Sequence, residues 1–433
     1  MYILRVVIFS LDEPNLTRIL TVFKENLVKY RGKRTSREYT FVLFLILTAK
    51  LQRNLEFVNW NFLKKTMSNK NKKYSTIHYH SYLELDKILD AQHLRSAELG
   101  DEPAHEEMLF IVVHQVYELW FKQLMHELES VIAMFAEERV DERNLGTAVG
   151  RLSRVSEILQ LLIQQIRVME TMTPLDFLDF RNYLFPASGF QSFQFRMVEV
   201  MLGLKEEKRL TYHGQHYASV FPKDQQEKLK KIEEGNTLFE VVESWLERTP
   251  FLDFGEFNFI EHYKAAVERM VEKEKTAILA SSYLTGKEKD MRVKMMGSTD
   301  TYFESVLNTE VHARMQAEGA LRMSHKATVA ALLINLYRDE PILHSPFNLL
   351  MGLIEIDELL TTWRYRHAQM VLRMLGRKIG TGGSSGHGYL KDTAKRHHIF
   401  TDLHNISTLL IPRSELPKLP ENLEKELGFY FSK

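Results

Sequence analysis

The 433-residue chain is 44% hydrophobic and carries no formal net charge, with a pI near 7.3. Such a composition can bury a sizeable core, and 57 basic residues balanced by 57 acidic ones give no electrostatic case for nucleic acid or an anionic membrane as partner. Cysteine is absent, which excludes disulfides, thiolate catalysis, zinc–cysteine sites and iron–sulfur clusters, so any metal must be held by His, Asp, Glu or oxygen groups.

Residues 1–66 stand apart from the rest. The apolar core of "YTFVLFLILTAKL", Phe41 to Leu47, is far shorter than the ~20 residues that span a membrane. It lies too far in, behind a basic run, for an ordinary signal peptide. This stretch is read as an extension of uncertain structure, with Met67, opening the polar "MSNKNKKYSTIHYH", as an alternative start of the functional protein. From Tyr79 onward the apolar spacing is helical. Long helices are expected over 108–138, over "LGTAVGRLSRVSEILQLLIQQIRVMETM", over "FNFIEHYKAAVERMVEKEKTAILA", across 301–339, and over 347–376, beginning after Pro346. Pro103, Pro174, Pro250 and Pro346 fall where helices can start. No stretch alternates with period 2, and no strand–helix alternation suggests a Rossmann-like sheet. The expectation is one all-α domain over about residues 75–415, followed by a tail over 416–433.

Four features invite chemistry. His114 sits in the apolar helical run "LFIVVHQVYELWF", with Phe110 one turn before it and Tyr117 and Glu118 one turn after. A hydrogen-bonded core histidine is the plain reading, and a group above a bound cofactor the functional one. Arg181 lies among aromatic and aliphatic residues, with Phe177 at i−4 and Leu184 at i+3. A guanidinium there is either paired at the surface or a bidentate clamp for a ligand carboxylate. His367 shares a helical face with Trp363, Met370, Val371 and Met374. One imidazole among large apolar groups suits haem, which takes a single proximal histidine. Non-haem iron would want two His and a carboxylate, and a di-iron site paired Glu-x-x-His. The only Glu-x-x-His here is "EPAH", which contains proline and has no mate. Directly after this helix, six of the 20 glycines fall between Gly376 and Gly388. "GTGGSSG" has no following Lys-Ser or Lys-Thr, so it is not a phosphate loop, and its G-x-S-x-G match at Ser384 has no α/β sheet to support it. On composition a plain surface loop stays open; a closing loop that offers backbone N–H groups to a ligand fits its place after a histidine helix.

The stretches "YHSYLELDKILDAQ", "HEEMLFIVVHQVYELWFKQLMHELES", "MTPLDFLDFRNYLFPASGFQSFQFR", "WRYRHAQMVLRMLG" and "GTGGSSGHGYL" resemble, in the same order, those of the tryptophan 2,3-dioxygenase family, over roughly residues 75–415. The resemblance implies an all-helical fold, a homotetramer and one haem b per subunit. It implies a cytoplasmic enzyme, with neither nucleic acid nor membrane as partner, that cleaves the indole C2=C3 bond of L-tryptophan with O2 to give N-formyl-L-kynurenine, the first step of the kynurenine pathway. It implies His367 as proximal iron ligand and His114 as the distal histidine near the indole N–H. Arg181 would bind the substrate carboxylate and Thr381 its ammonium and carboxylate. Phe110, Phe177 and Leu184 would wall the indole, and Ser188 would lie close to haem and substrate. Tyr79 and Tyr82 would reach into a neighbouring subunit's pocket. His387 departs from the family's pattern, which has tyrosine just after the glycine loop; residues 1–66 have no counterpart in it.

Overall fold

The computed structural model describes residues 76–100, 102–210, 216–376, 378 and 386–429. The apolar segment Phe41 to Leu47, Met67 and Thr381 lie outside them. The chain divides into two compact units, 1–89 and 90–433. The described part of the first is two short helices, α1 (Tyr79–Leu83) and α2 (Leu85–Leu89). Glu84 joins them in the left-handed region, φ +50°. None of their residues is buried.

The second unit is all-α. Its helices are α3 (Arg95–Leu99), α4 (His105–Phe135), α5 (Glu142–Met169), α6 (Pro174–Arg181), α7 (Phe193–Leu202), α8 (Lys223–Glu233) and α9 (Leu238–Glu247). Beyond a two-residue-per-strand hairpin, β1 (Asp253–Phe254) and β2 (Phe257–Asn258), follow α10 (Phe259–Ala280), α11 (Gly286–Leu307), α12 (Thr309–Ala317), α13 (His325–Leu336), α14 (Pro341–Leu375), α15 (His387–Arg396), α16 (Thr401–Asn405) and α17 (Glu421–Leu427).

Local chemistry sets the ends. Asp141 caps α5 by accepting from the Asn144 N–H at 2.9 Å, and Thr173 with Asp176 forms a capping box before Pro174 at the first turn of α6. Three expectations give way to local detail. Pro250 starts no helix but leads into the β1–β2 hairpin, which turns at Gly255, φ +62°. The helix expected across 301–339 is three: Asn308 caps α12, Gly319 at φ +74° follows its end, and Ser324 caps α13. And α14 begins at Pro341, so Pro346 lies inside it. As the sixth residue of the helix it lies just past the four N–H groups that have no partner, and it removes the one intrahelical hydrogen bond its own N–H would have made.

The core runs along α4, α5 and α14, where Leu124, Leu128, Leu152, Leu159, Leu353 and Ile356 are buried. Leu423 and Leu427 of α17 join the same core. Beside it lies a buried charge cluster. Glu199 of α7 accepts from Arg196 at 2.7 Å, Arg209 at 2.9 Å and Arg364 of α14 at 2.8 Å, and lies 3.4 Å from His397 Nδ1. Arg364 also donates to the His397 carbonyl at 2.9 Å, which ties α14 to the turn after α15. Burial alone would raise the Glu199 pKa. Arg196 and Arg209, the His397 hydrogen bond and Arg364 outweigh it and hold the carboxyl well below the usual range.

Removing one member of such a buried cluster strands its partners. Arg364→Met is expected to cost roughly 3–5 kcal/mol. Arg413→Met, which breaks the exposed Arg413–Asp339 pair, is expected to cost below about 1 kcal/mol. Urea unfolding of both variants checks this; equal losses would mean the cluster is as well solvated as the surface pair.

Candidate active site

A cavity of about 260 Å³ opens between α4, α7, α14 and α15. Three of the residues singled out in the sequence, His114, Ser188 and His367, line it. Phe121, Ile166, Phe195, Met370 and Leu375 give it apolar walls.

His367 stands midway along the cavity-facing side of α14. Trp363, one turn earlier, stacks on it with centroids 5.2 Å apart and planes at 26°. Its Nδ1 is buried without a partner, so Nε2 is the nitrogen the cavity reaches. Burial, with a smaller contribution from nearby His114, pushes its pKa down to about 4. The imidazole is therefore neutral at neutral pH, with a lone pair to offer a metal.

His114 of α4 is open on its cavity side. Its Nδ1–H donates to the Phe110 carbonyl at 2.7 Å, which leaves Nε2 as an acceptor. Burial lowers its pKa, partly opposed by that carbonyl and by Glu118. Glu118 also lines the cavity and is held by Ser192 at 2.6 Å and Gln194 at 2.8 Å.

The Phe110 ring lies 4.1 Å from that of His114 and 5.8 Å from that of Phe177. Phe110, Phe177 and Leu184 pack with Phe180 in a second apolar cluster. Val113, Met169, Met370 and Leu375 belong both to this cluster and to the cavity wall, so the two are continuous. Arg181 is the last residue of α6, half-buried beside this cluster, and does not line the cavity itself. Ser188 caps the short turn Gly189–Gln191 at the cavity edge. Tyr79 and Tyr82 stand 70% and 68% exposed in the first unit.

His387 opens α15, and its Nδ1 lies 3.0 Å from the carbonyl of Ala368, the residue after His367. Gly386 before it has φ +43°, and a Cβ there would sit 3.3 Å from Val371. The histidine thus fastens the far end of the glycine segment to α14.

One group of cavity residues was not singled out in the sequence. Arg196, Glu199, Arg364 and His397, of the buried charge cluster, all line the cavity. The signal was there: Arg196 and Glu199 lie three apart inside the apolar run "FQFRMVEVML", the same pattern that drew attention to Arg181.

Among the described residues no three His, Asp or Glu come together to hold a bare metal ion. A metal bound at His367 would have to bring most of its own ligands, as a porphyrin does. A neutral imidazole reachable at Nε2, among apolar walls, fits haem iron.

The family model for tryptophan 2,3-dioxygenase matches residues 64–410. The chain is 48% identical to tryptophan 2,3-dioxygenase of Bdellovibrio bacteriovorus over 359 residues, which is 83% of this chain and 100% of that protein. It is 45% identical to that of Dictyostelium discoideum over 357 residues, 82% of this chain and 89% of the other. It is also 45% identical to tryptophan 2,3-dioxygenase B of Danio rerio over 354 residues, 80% of this chain and 85% of that one. The chain belongs to the tryptophan 2,3-dioxygenase family.

Proposed function

We infer that the chain cleaves the indole C2=C3 bond of L-tryptophan with O2 to give N-formyl-L-kynurenine, on a haem b whose iron is held by His367. Family membership carries the reaction. The observation that supports the cofactor is the neutral, cavity-facing imidazole of His367 stacked on Trp363. Bound haem supplies the O2 chemistry; the protein supplies binding and orientation. The apolar cluster of Phe110, Phe177 and Leu184 takes the flat indole and keeps water out. Arg181, one turn from Phe177, holds the substrate carboxylate by a charge-assisted pair. Thr381 contacts the substrate's ammonium and carboxylate. His114 Nε2 accepts from the indole N–H and orients the ring; that N–H is too weakly acidic for His114 to be an obligatory base. Ser188 borders haem and substrate at the cavity edge. Fixing C2 and C3 in this way can supply on the order of 7–11 kcal/mol in favourable cases. Among the described residues no helix is long and apolar enough to cross a membrane, and we assign the enzyme to the cytoplasm.

We further propose a homotetramer in which each first unit completes a neighbour's pocket. The support is Tyr79 and Tyr82, three apart on α1 and both largely exposed. The domain of this reading begins at about residue 75 and takes in α17, whose Leu423 and Leu427 share its core, with 1–66 dispensable.

Three outcomes check these assignments. His367→Ala loses haem absorption near the Soret position together with activity, because it removes the only protein–iron bond; a native spectrum in that variant would reject the ligand. Arg181→Leu keeps haem and raises KM for tryptophan roughly 10- to 100-fold, the worth of a charge-assisted hydrogen bond, whereas unchanged kinetics would return Arg181 to the surface. Tyr79→Ala/Tyr82→Ala chains mixed with His367→Ala chains, both inactive alone, recover part of the activity on subunit exchange, since some pockets then combine an intact His367 with intact tyrosines. Mixed tetramers that stay inactive would reject the shared pocket.

A further inference from the structure

Two carboxylates line the cavity, those of Glu118 and Glu199. Glu199 is met by three guanidinium groups. Glu118 forms no ion pair among the described residues. Neutral donors take both its oxygens, the Ser192 hydroxyl Oε1 at 2.6 Å and the Gln194 amide Oε2 at 2.8 Å. Gln194 also donates to the Glu118 backbone carbonyl at 2.9 Å, so α4 and the start of α7 are tied at this point. A glutamine in place of Glu118 could make the same ties. What only the carboxylate brings is its charge, and a half-buried charge without a counter-ion is costly to keep.

That charge faces a group able to change its own. His114 lies one turn before Glu118 on α4, and both line the cavity. Residues so spaced on a helix stand about 5–6 Å apart between Cβ atoms. Burial disfavours a proton on His114, and the Phe110 carbonyl and Glu118 oppose burial. The other titratable groups around the cavity are engaged elsewhere. Arg196, Arg364 and His397 bond to Glu199, His367 of α14 is kept neutral by burial, and Tyr117 of α4 gives its proton to the Leu162 carbonyl at 2.6 Å. Tyr389 of α15 meets Phe190 edge-on, and Arg181 ends α6. Among these groups Glu118 is the carboxylate that acts on His114.

We propose that Glu118 is a positioning residue for the reaction, acting through His114: held by Ser192 and Gln194, its carboxylate sets how far into acid the pocket still takes an indole N–H. The proposal rests on the reading of His114 given above, in which Nε2 must keep its lone pair. Glu118 favours the imidazolium, so it brings the loss of that lone pair to higher pH. Ser192 and Gln194 limit the effect, because they engage oxygens that would otherwise turn to the imidazolium. The pocket thus carries its own acid threshold for substrate.

The test measures binding to the haem-loaded enzyme in its ferric state, without turnover, by the change that L-tryptophan makes in the Soret band across pH. The control ligand is 1-methyl-L-tryptophan, which has no indole N–H to give. In the wild-type enzyme, affinity for L-tryptophan is expected to fall in acid as His114 takes a proton, and affinity for the methyl analogue to fall less. Glu118→Gln removes the charge that favours the imidazolium, so its acid limb lies at lower pH. On that limb it should bind L-tryptophan about 3- to 10-fold more tightly than wild type at the same pH, the worth of one charge a helical turn away in a partly solvated site. The methyl analogue should be unaffected, and Glu118→Asp, which keeps the charge, should stay near wild type. Gln194→Met frees one oxygen and should move the limb to higher pH; it decides the matter if Glu118→Gln does not fold. A limb that neither variant moves would overturn the proposal. So would a Glu118→Gln enzyme that binds both ligands more weakly at every pH, which an ammonium contact or a purely structural role gives. If the wild-type enzyme loses both ligands identically in acid, the reading of His114 as indole acceptor fails, and this proposal with it.

Discussion

Arg364 reaches Glu199 at 2.8 Å and the His397 carbonyl at 2.9 Å, and these two bonds hold α14 against α7 and against the turn that follows α15. His367 lies three residues further along the same helix, on the neighbouring part of the same face. Where the imidazole stands over the cavity is therefore set by an ionic lock one turn away. Asp357, on the same helix, adds to it by accepting the Ile399 N–H at 3.0 Å, which fixes the chain just past His397. Such a lock is worth little as net stability, because desolvating the charges offsets most of their attraction. Its value is directional: one helix, one register, one position for the histidine.

Much of this was legible in the sequence, and the reasons differ by residue. The long helices α4, α5 and α10 announce themselves by unbroken apolar spacing, and α6 by Thr173 and Pro174. The breaks around Asn308 and Gly319 were hidden because the apolar spacing carries through them, while capping and a left-handed φ act over one or two residues. Pro346 misled because a proline reads as a boundary, although one turn into a helix it removes a single bond. His114 and His367 stood out as polar groups on apolar faces. Glu199 did not, because its partners come from α7, from Arg209 and from α14, 10 and 165 residues away. Long-range charge pairing leaves no local pattern; only the i,i+3 spacing of Arg196 and Glu199 hinted at it. The continuity of the Phe110–Phe177–Leu184 cluster with the cavity is equally a tertiary fact, made by α4 and α6 meeting beside α14.

Under the proposed function the two histidines that face the cavity have different roles but one shared requirement. Each would need a lone pair on Nε2, His367 for a metal and His114 for the indole N–H, and neither has it when protonated. The fold meets this twice over. Burial disfavours the charged form of both rings, and each lies close enough to the other that a proton on His114 further disfavours one on His367. Glu118 pulls the other way at His114, yet Ser192 and Gln194 engage its oxygens and temper it as an acceptor for the imidazolium. The charge cluster thus anchors the helix that carries His367, while burial is what favours neutral imidazoles on both sides of the cavity.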